Sequence, residues 1–432
     1  MIRFALAVLA LVAGAAAGAR EPAGLHATLS ELSRQGKFSG AVVVRGPQGI
    51  RFARGYGQAD PFTGELFTPD TPVDSASLAK PVTAAAILSL ARNGKLDLDV
   101  SVRRYLPEYP NAETTTRHLL SHSAGLADAT VGQIAGKTNA QLLAEFAKPG
   151  ANPLFAPGSG FAYCNFCYTT LALLIERVGG RPYLDVVREL VRLPSGVTIR
   201  PRRLAQWTGR AIGYRSTANK IERADSDEDE VFYGAANFSI SAAQLAQWGE
   251  QWSTGSLAGI RNQATTTARI AGKPSGLTTG NWYCAPRGRR CHYIGHHQGF
   301  HHMLYWDTGR RITIAMVSNN TLAPAVQQRL QRALVAFAEG KMASAKRELA
   351  AEIPARAATV GAYHFVTGER VEIAAGDGPL LIVERRGIRY AAYPIGAEIH
   401  YVPGLDVYLA AAGDRSLHWL SLYDDLIAAK TN

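Results

Sequence analysis

Apolar and polar residues along the 432-residue chain follow two periods, and the change from one to the other marks out its parts. Ser39-Gly40-Ala41-Val42-Val43-Val44-Arg45 and Ile50-Arg51-Phe52-Ala53 flank the turn Gly46-Pro47-Gln48-Gly49, the pattern of a β-hairpin. Residues 80–94 carry Val82, Ala85, Ala86, Leu88 and Leu90 at helical spacing and stop at Asn93-Gly94. Helical periodicity returns at 141–147, 168–178 and 242–252. Residues 303–306 and 312–318 lie either side of Asp307-Thr308-Gly309 and predict a second hairpin. Residues 325–350 read as a long Ala-, Arg- and Gln-rich helix suited to packing on that sheet. After Pro354, short strand-like runs alternate with Gly and Asp turns, without a long helix. The expectation is an α/β part over 20–350, α+β in its order of elements, and a small all-β domain over 351–432.

The first residues read as a segment apart from the fold. Met1-Ile2-Arg3 is a short basic start, and residues 4–17 form an Ala-, Leu- and Val-rich run too short for a membrane span. Ala17-Gly18-Ala19 supplies the small residues of a signal-peptidase site. The expectation is a signal peptide over 1–19 and an exported chain, periplasmic or secreted, without a stable membrane span. With 47% hydrophobic and 19% charged residues, a mostly disordered chain is excluded. The formal charge of +11 becomes +10 without Arg3, since residues 1–19 hold no acid. Lys and Arg are scattered; the densest groups, Arg200-Pro201-Arg202-Arg203 and Arg287-Gly288-Arg289-Arg290, lie far apart and form no stripe interleaved with aromatics. Nucleic acid is therefore not an expected partner. Solubility, or contact with anionic envelope material, accounts for the charge. The 4 cysteines suit an oxidising compartment. Local pairs Cys164–Cys167 and Cys284–Cys291 are favoured among three connectivities. Only the first pair has zinc-like spacing, and no metal or other cofactor is expected.

Ser77-Leu78-Ala79-Lys80 sets a serine and a lysine three apart at the opening of the 80–94 helix, where both side chains share one face. A serine hydroxyl needs a base to become a nucleophile, and a lysine serves if its surroundings favour the neutral amine. A helix N-terminus does so and also favours a developing alkoxide. Phe161-Ala162-Tyr163-Cys164-Asn165 follows the Pro157-Gly158 turn, so that the Tyr163 hydroxyl and the Asn165 amide can share one cleft. The bland alternative is a packed tyrosine and an N-cap asparagine. Tyr293-Ile294-Gly295-His296-His297-Gln298-Gly299-Phe300 reads as a strand; Gly295 allows a substrate against the backbone, with the next N–H facing an oxyanion. His292, His296, His297, His301 and His302 crowd here, but alternation along a strand keeps them from converging on one metal.

In this order, Ser77-x-x-Lys80, Tyr163-x-Asn165 and the glycine-bearing strand resemble the serine β-lactamase-related hydrolases. That family includes class C β-lactamases, D,D-carboxypeptidases, D-aminopeptidases and related esterases. Gly94-Lys95-Leu96-Asp97-Leu98, Arg117-His118-Leu119-Leu120-Ser121-His122-Ser123-Ala124-Gly125-Leu126, Phe155-Ala156-Pro157-Gly158 and Val317-Ser318-Asn319-Asn320 are similar to that family as well. The resemblance implies an antiparallel sheet flanked by helices, with an all-helical subregion. It also implies acylation of Ser77, proton transfer by Lys80 and Tyr163, and substrate contacts from Asn165, Tyr293, Gly295 and His296. The backbone N–H groups of Ser77 and His296 would form the oxyanion hole. The substrate would be a small molecule or peptide, cell-wall-derived material included.

The sequence departs from the family at Ala79, where Ser or Thr usually precedes the lysine, and at Cys164, where Ser or Ala is common. Pro81 removes a backbone donor early in the helix, an expected loosening of the first turn. Tyr293 stands where the third motif normally begins with Lys or His, which lowers carboxylate-gripping chemistry relative to ester or amide hydrolysis. The alternative is a binding or sensing protein without turnover. Two runs are read as decoys. Ser121-His122-Ser123-Ala124-Gly125 imitates a nucleophile elbow without its first glycine or a preceding strand. Asp225-Ser226-Asp227-Glu228-Asp229-Glu230 imitates a calcium loop without its glycine, and is read as solvated.

Overall fold

The computed structural model describes residues 24–431 apart from 127–136, 147–152, 200–205, 218–219, 226–232, 237, 298, 322–323, 342–357, 359, 396–398, 414 and 424. The expected export signal and all but the first residue of the 225–230 run therefore lie outside the described residues.

A six-stranded antiparallel sheet carries the larger part. Its strands, in chain order, are β1 (Gly40–Gly46), β2 (Gly49–Tyr56), β3 (Tyr283–Cys284), β4 (Arg290–His297), β5 (Phe300–Asp307) and β6 (Ile312–Ser318). Their spatial order is β3-β4-β5-β6-β1-β2, so that β1 and β6, from opposite ends of this part, pair in the middle. The helices are α1 (Leu25–Arg34), α2 (Ala79–Arg92), α3 (Thr116–Leu120), α4 (Asn139–Phe146), α5 (Asn165–Gly179), α6 (Tyr183–Val191), α7 (Ala242–Ser253), α8 (Ala258–Thr265) and α9 (Pro324–Ala338). Both faces of the sheet are covered, and β5 and β6 are accordingly buried at every residue rather than at alternate ones. Met303, Tyr305, Ile314 and Met316 pack on Leu29 of α1 and on Leu330 and Phe337 of α9. Leu304, Trp306, Ala315 and Val317 face Trp248 and Trp252 of α7 on the other side. Helices α2 to α8 form the helical subregion between β2 and β3.

The second hairpin and the helices over 141–147, 168–178 and 242–252 stand where the periodicity puts them, within a few residues. The helix expected over 325–350 ends at Ala338, followed by Gly340 at φ 80°, a left-handed turn that stops the helical hydrogen bonding.

Residues beyond 360 form a closed antiparallel barrel: β7 (Gly361–His364), β8 (Arg370–Ala375), β9 (Leu381–Arg385), β10 (Ile388–Pro394), β11 (His400–Val402), β12 (Val407–Gly413), β13 (Ser416–Leu420) and β14 (Asp425–Lys430). Closure leaves no free edge, and Val371, Ile373, Val383, Tyr390, Leu409 and Trp419 fill the interior. The barrel docks on the sheet through Gln328 of α9, which donates to Leu420 O (2.8 Å), and through Arg332, which donates to Ser421 O (3.1 Å). Both expected disulfides, Cys164–Cys167 and Cys284–Cys291, are present. Among the described residues no helix is long and apolar enough to cross a membrane.

Two predictions follow from this packing. Trp306 is fully buried, stacked on Trp252 (centroids 5.8 Å) and edge-on to Trp282 (5.6 Å). Trp306→Ala should cost about 3–5 kcal/mol, read as a lower urea midpoint with an unchanged slope. The second concerns pH. His302 donates from Nε2 to Asp74 O (2.7 Å) and accepts the Ser318 N–H at Nδ1 (3.3 Å), while His301 shares 2.5 Å with Gln327 Oε1. Burial, above all, pushes His302 down to about 4 and His301 well below its ordinary value. Both are neutral in the fold but take up protons once unfolded. Their contribution is complete above the unfolded histidine pKa and is lost as pH falls from about 6.5 toward 4. Urea titrations between pH 8 and 5 should show stability dropping below pH 6.5 with uptake of about two or more protons; a flat profile contradicts this.

Candidate active site

Ser77 lies in a 3-10 turn, Ala76–Leu78, that leads directly into α2. Ala76 adopts φ 46°, a left-handed conformation costly for a residue with a Cβ, and its N–H donates to Asp74 Oδ1 (2.8 Å). That corner presents the Ser77 hydroxyl, half-buried, to a cavity, while α2 beyond it is buried from Ala79 to Leu90. Pro81 is the third residue of the helix, where the backbone N–H has no intrahelical partner, so the expected loosening of the first turn does not occur.

Lys80, one turn on, is fully buried. Its Nζ donates to Ser77 Oγ (2.9 Å), Asn165 Oδ1 (2.7 Å) and Ala235 O (3.0 Å), one acceptor for each of its three donor directions. The Tyr163 hydroxyl donates to the same Ser77 Oγ at 2.8 Å, and Lys80 Nζ lies 4.9 Å from the Tyr163 ring centroid. Two donors thus converge on one serine oxygen, one from the next turn of the same segment and one from 86 residues along the chain. Asn165 is the first residue of α5 rather than its cap; Cys164 takes the cap position, its sulfur accepting from Cys167 N–H. With the cap supplied by Cys164, the Asn165 amide reaches Lys80.

His122 belongs to this site, although its segment reads as a decoy in the sequence. Its ring stacks on Tyr163 (centroids 4.7 Å, 17° between planes) and contacts Tyr168. Its Nδ1 accepts the Cys164 N–H (3.0 Å), which leaves the proton on Nε2, 3.2 Å from Asn281 Oδ1. Burial, then the nearby Lys80, pushes His122 down to about 3, so a neutral ring backs the Tyr163 phenol. Ser121 is no nucleophile: it is buried, with its hydroxyl on Ser123 Oγ (2.8 Å) and Arg117 O (2.8 Å). In the other decoy, Asp225 is buried rather than solvated, bound to Arg210 Nη1 at 2.5 Å and to Arg223 Nε at 2.7 Å.

Strand β4 closes the opposite side. A Cβ on Gly295 would stand 2.8 Å from Ser75 O, so only glycine lets the strand pass the Ser77 corner. His296 follows on the strand with its ring on His301 (centroids 3.8 Å). Tyr293 is buried and stacked on Tyr283 (5.5 Å, 9°); burial first, and Tyr163 next, raise its pKa well above the usual phenol range. The cavity measures about 240 Å³ and touches Ser77, Tyr163, Asn165, Tyr293 and His296; of the other two expected residues, Lys80 lies outside its lining, bonded to Ser77 and Asn165, and Gly295 lies outside it against the Ser77 corner. It also touches His297, one of the five crowded histidines, and Ala236, Tyr401 and Pro403, for which the sequence gives no signal; the last two come from the barrel. Among the described lining residues none is Lys or Arg, and among the described residues no group of three or more His, Cys, Asp or Glu is arranged to hold a metal.

The family model described as Beta-lactamase matches residues 25–337. Penicillin-binding protein 4* of Bacillus subtilis (strain 168) is 29% identical over 179 residues, 40% of this chain and 40% of that protein. Esterase EstB of Burkholderia gladioli is 32% identical over 194 residues, 40% of this chain and 49% of that protein. The matches therefore span under half the length of these two relatives. The octameric penicillin-binding protein homologue from Pyrococcus abyssi shares the fold, with a TM-score of 0.62 at 17% identity over 94% of this chain and 99% of that one. A family match over most of the chain, on a fold that gathers the expected motifs, establishes that the chain belongs to the beta-lactamase family.

Proposed function

We propose that the chain is an exported serine hydrolase that cleaves an ester or amide through an acyl-enzyme on Ser77. The observation that carries this reading is the placement of Lys80 Nζ and the Tyr163 hydroxyl at 2.9 and 2.8 Å from one serine oxygen. Ser77 Oγ attacks the carbonyl carbon; its proton passes to the Lys80–Tyr163 pair as the new C–O bond forms. Collapse of the tetrahedral adduct breaks the bond to the leaving group, which takes that proton. Water then repeats the sequence on the acyl-serine and releases the acid. Backbone N–H groups of Ser77 and His296 carry the oxyanion in this scheme, with the Gly295 contact to the Ser77 corner supporting their proximity. Asn165 holds Lys80.

The cavity lining, with tyrosines and no described Lys or Arg, supports a neutral ester or amide over a substrate gripped by its carboxylate. The names of the relatives, an esterase and a penicillin-binding protein, agree with acyl transfer to or from a serine. Two disulfides support work in an oxidising compartment outside the cytosol.

A substrate screen of the protein with p-nitrophenyl acetate, nitrocefin and a D-alanyl anilide, run alongside fluorophosphonate labelling, tests this reading. Ser77→Ala should abolish labelling and lower kcat/KM by about ten-thousand-fold, and Lys80→Ala should do nearly the same. Tyr163→Phe should lose about a hundredfold to ten-thousand-fold. Labelling that survives Ser77→Ala overturns the assignment, and stoichiometric acylation without turnover identifies a binding or sensing protein instead.

A further inference from the structure

We infer that the C-terminal barrel selects the substrate: its segment from Tyr401, in β11, to Pro403, in the turn that follows, is a fixed wall of the cavity beside Ser77, restricting the group seated there to a compact, uncharged one. This inference rests on the reading of Ser77 as nucleophile and adds to it the substrate class and the residues that set it.

The cavity of about 240 Å³ is smaller than the roughly 300–1,000 Å³ of clefts that hold drug-sized ligands. Ser77 and Tyr163 line it from the helical side and Tyr293 from the sheet, while Tyr401 and Pro403 approach from the barrel, more than 320 residues along the chain from the serine. A long acyl chain or a polymer strand seated beside Ser77 would have to displace the barrel residues.

They are held against displacement at several points. The Tyr283 hydroxyl donates to Pro403 O, and Tyr283 in turn stacks on Tyr293. Asp406, at φ 49° at the end of that turn, places Oδ2 2.5 Å from His292 Nε2 and accepts the Tyr401 hydroxyl at Oδ1 (3.1 Å). His292 and Asp406 are both buried, and His292 lies on β4, the strand that carries Tyr293 and Gly295. The Tyr423 hydroxyl meets His292 Nδ1 at 3.1 Å from the barrel side. Packing leaves no slack either. A Cβ on Gly404 would fall 2.5 Å from Tyr390 and 2.6 Å from Phe161, and one on Gly276 would fall 2.2 Å from Gly404 O. Buried polar ties of this kind are costly to break and hold one geometry. Tyr401 and Pro403 therefore act as a rigid wall rather than a lid.

The test uses the full chain and two substrate ladders: p-nitrophenyl acetate, butyrate and octanoate, and acetate esters of phenol and of bulkier aryl alcohols. Wild-type kcat/KM should fall at least tenfold along one ladder. Tyr401→Ala should narrow that ratio at least tenfold, mainly through KM for the large member, while Tyr401→Phe keeps the wild-type ranking. If Tyr401→Ala does not fold, Tyr401→Val supplies the shortened side chain. Calorimetric binding of acetyl and octanoyl p-nitroanilides to Ser77→Ala, with and without Tyr401→Ala, reads the same size ranking without any nucleophile. Turnover that survives Ser77→Ala overturns the nucleophile reading, and the binding ranking then decides the wall by itself. Ratios unchanged by Tyr401→Ala in both ladders and in binding overturn the wall.

Discussion

A lysine buried to the last atom is the constraint from which the site is built. Removing the Lys80 side chain from water is expensive unless every donor is satisfied, and Nζ has three acceptors from three separate segments: Ser77, Asn165 and the Ala235 carbonyl. The fold must hold all three to within a few tenths of an ångström. One turn further along α2, Thr83 ties the same segment down by donating to Gly234 O (2.7 Å) and meeting the Tyr183 hydroxyl (2.7 Å). A Cβ on Gly234 would stand 2.4 Å from Tyr168 O, so the chain passes there only as glycine. The polar network that satisfies the lysine thus also fixes the geometry around the serine.

The sheet and the barrel act on that centre from outside. Two apolar layers hold β4 to β6 rigidly, which places Gly295 against the Ser77 corner and Tyr293 over the cavity. The barrel is bound to the same strands by His292 and Asp406, so a distortion of the sheet reaches both walls of the cavity together. A cavity assembled from two folding units, lined by tyrosines and by no described Lys or Arg, ties the proposed choice of substrate to the appended domain as much as to the family's motifs.

Much of this was legible along the chain, for physical reasons. Mostly apolar runs at 303–306 and 312–318 report strands buried on both faces, and the Ser77-x-x-Lys80 spacing is short enough for helix geometry to dictate the meeting of its ends. Local cysteine spacing similarly favours its own pairing. What escaped depends on distant partners. Acids in a row look solvated, yet Asp225 is buried because Arg210, fifteen residues upstream, folds back onto it. His122 resembles a decoy because its task, stacking on Tyr163 and accepting the Cys164 N–H, needs a segment some forty residues away. Tyr401 and Pro403 carry no local mark at all; only domain docking brings them to the serine. The helix from Pro324 ends twelve residues before its composition suggests, because an alanine-rich run does not announce the turn at Gly340.

In the proposed mechanism one hydroxyl, activated by an amine and a phenol, carries the covalent chemistry. Rapid-quench mass spectrometry of the intact chain during its first turnover of an activated ester tests it most directly. One acyl adduct per chain is expected, appearing before product turnover and mapping to the peptide that holds Ser77. An adduct on any other residue, or product release with no covalent species at any time, would contradict it.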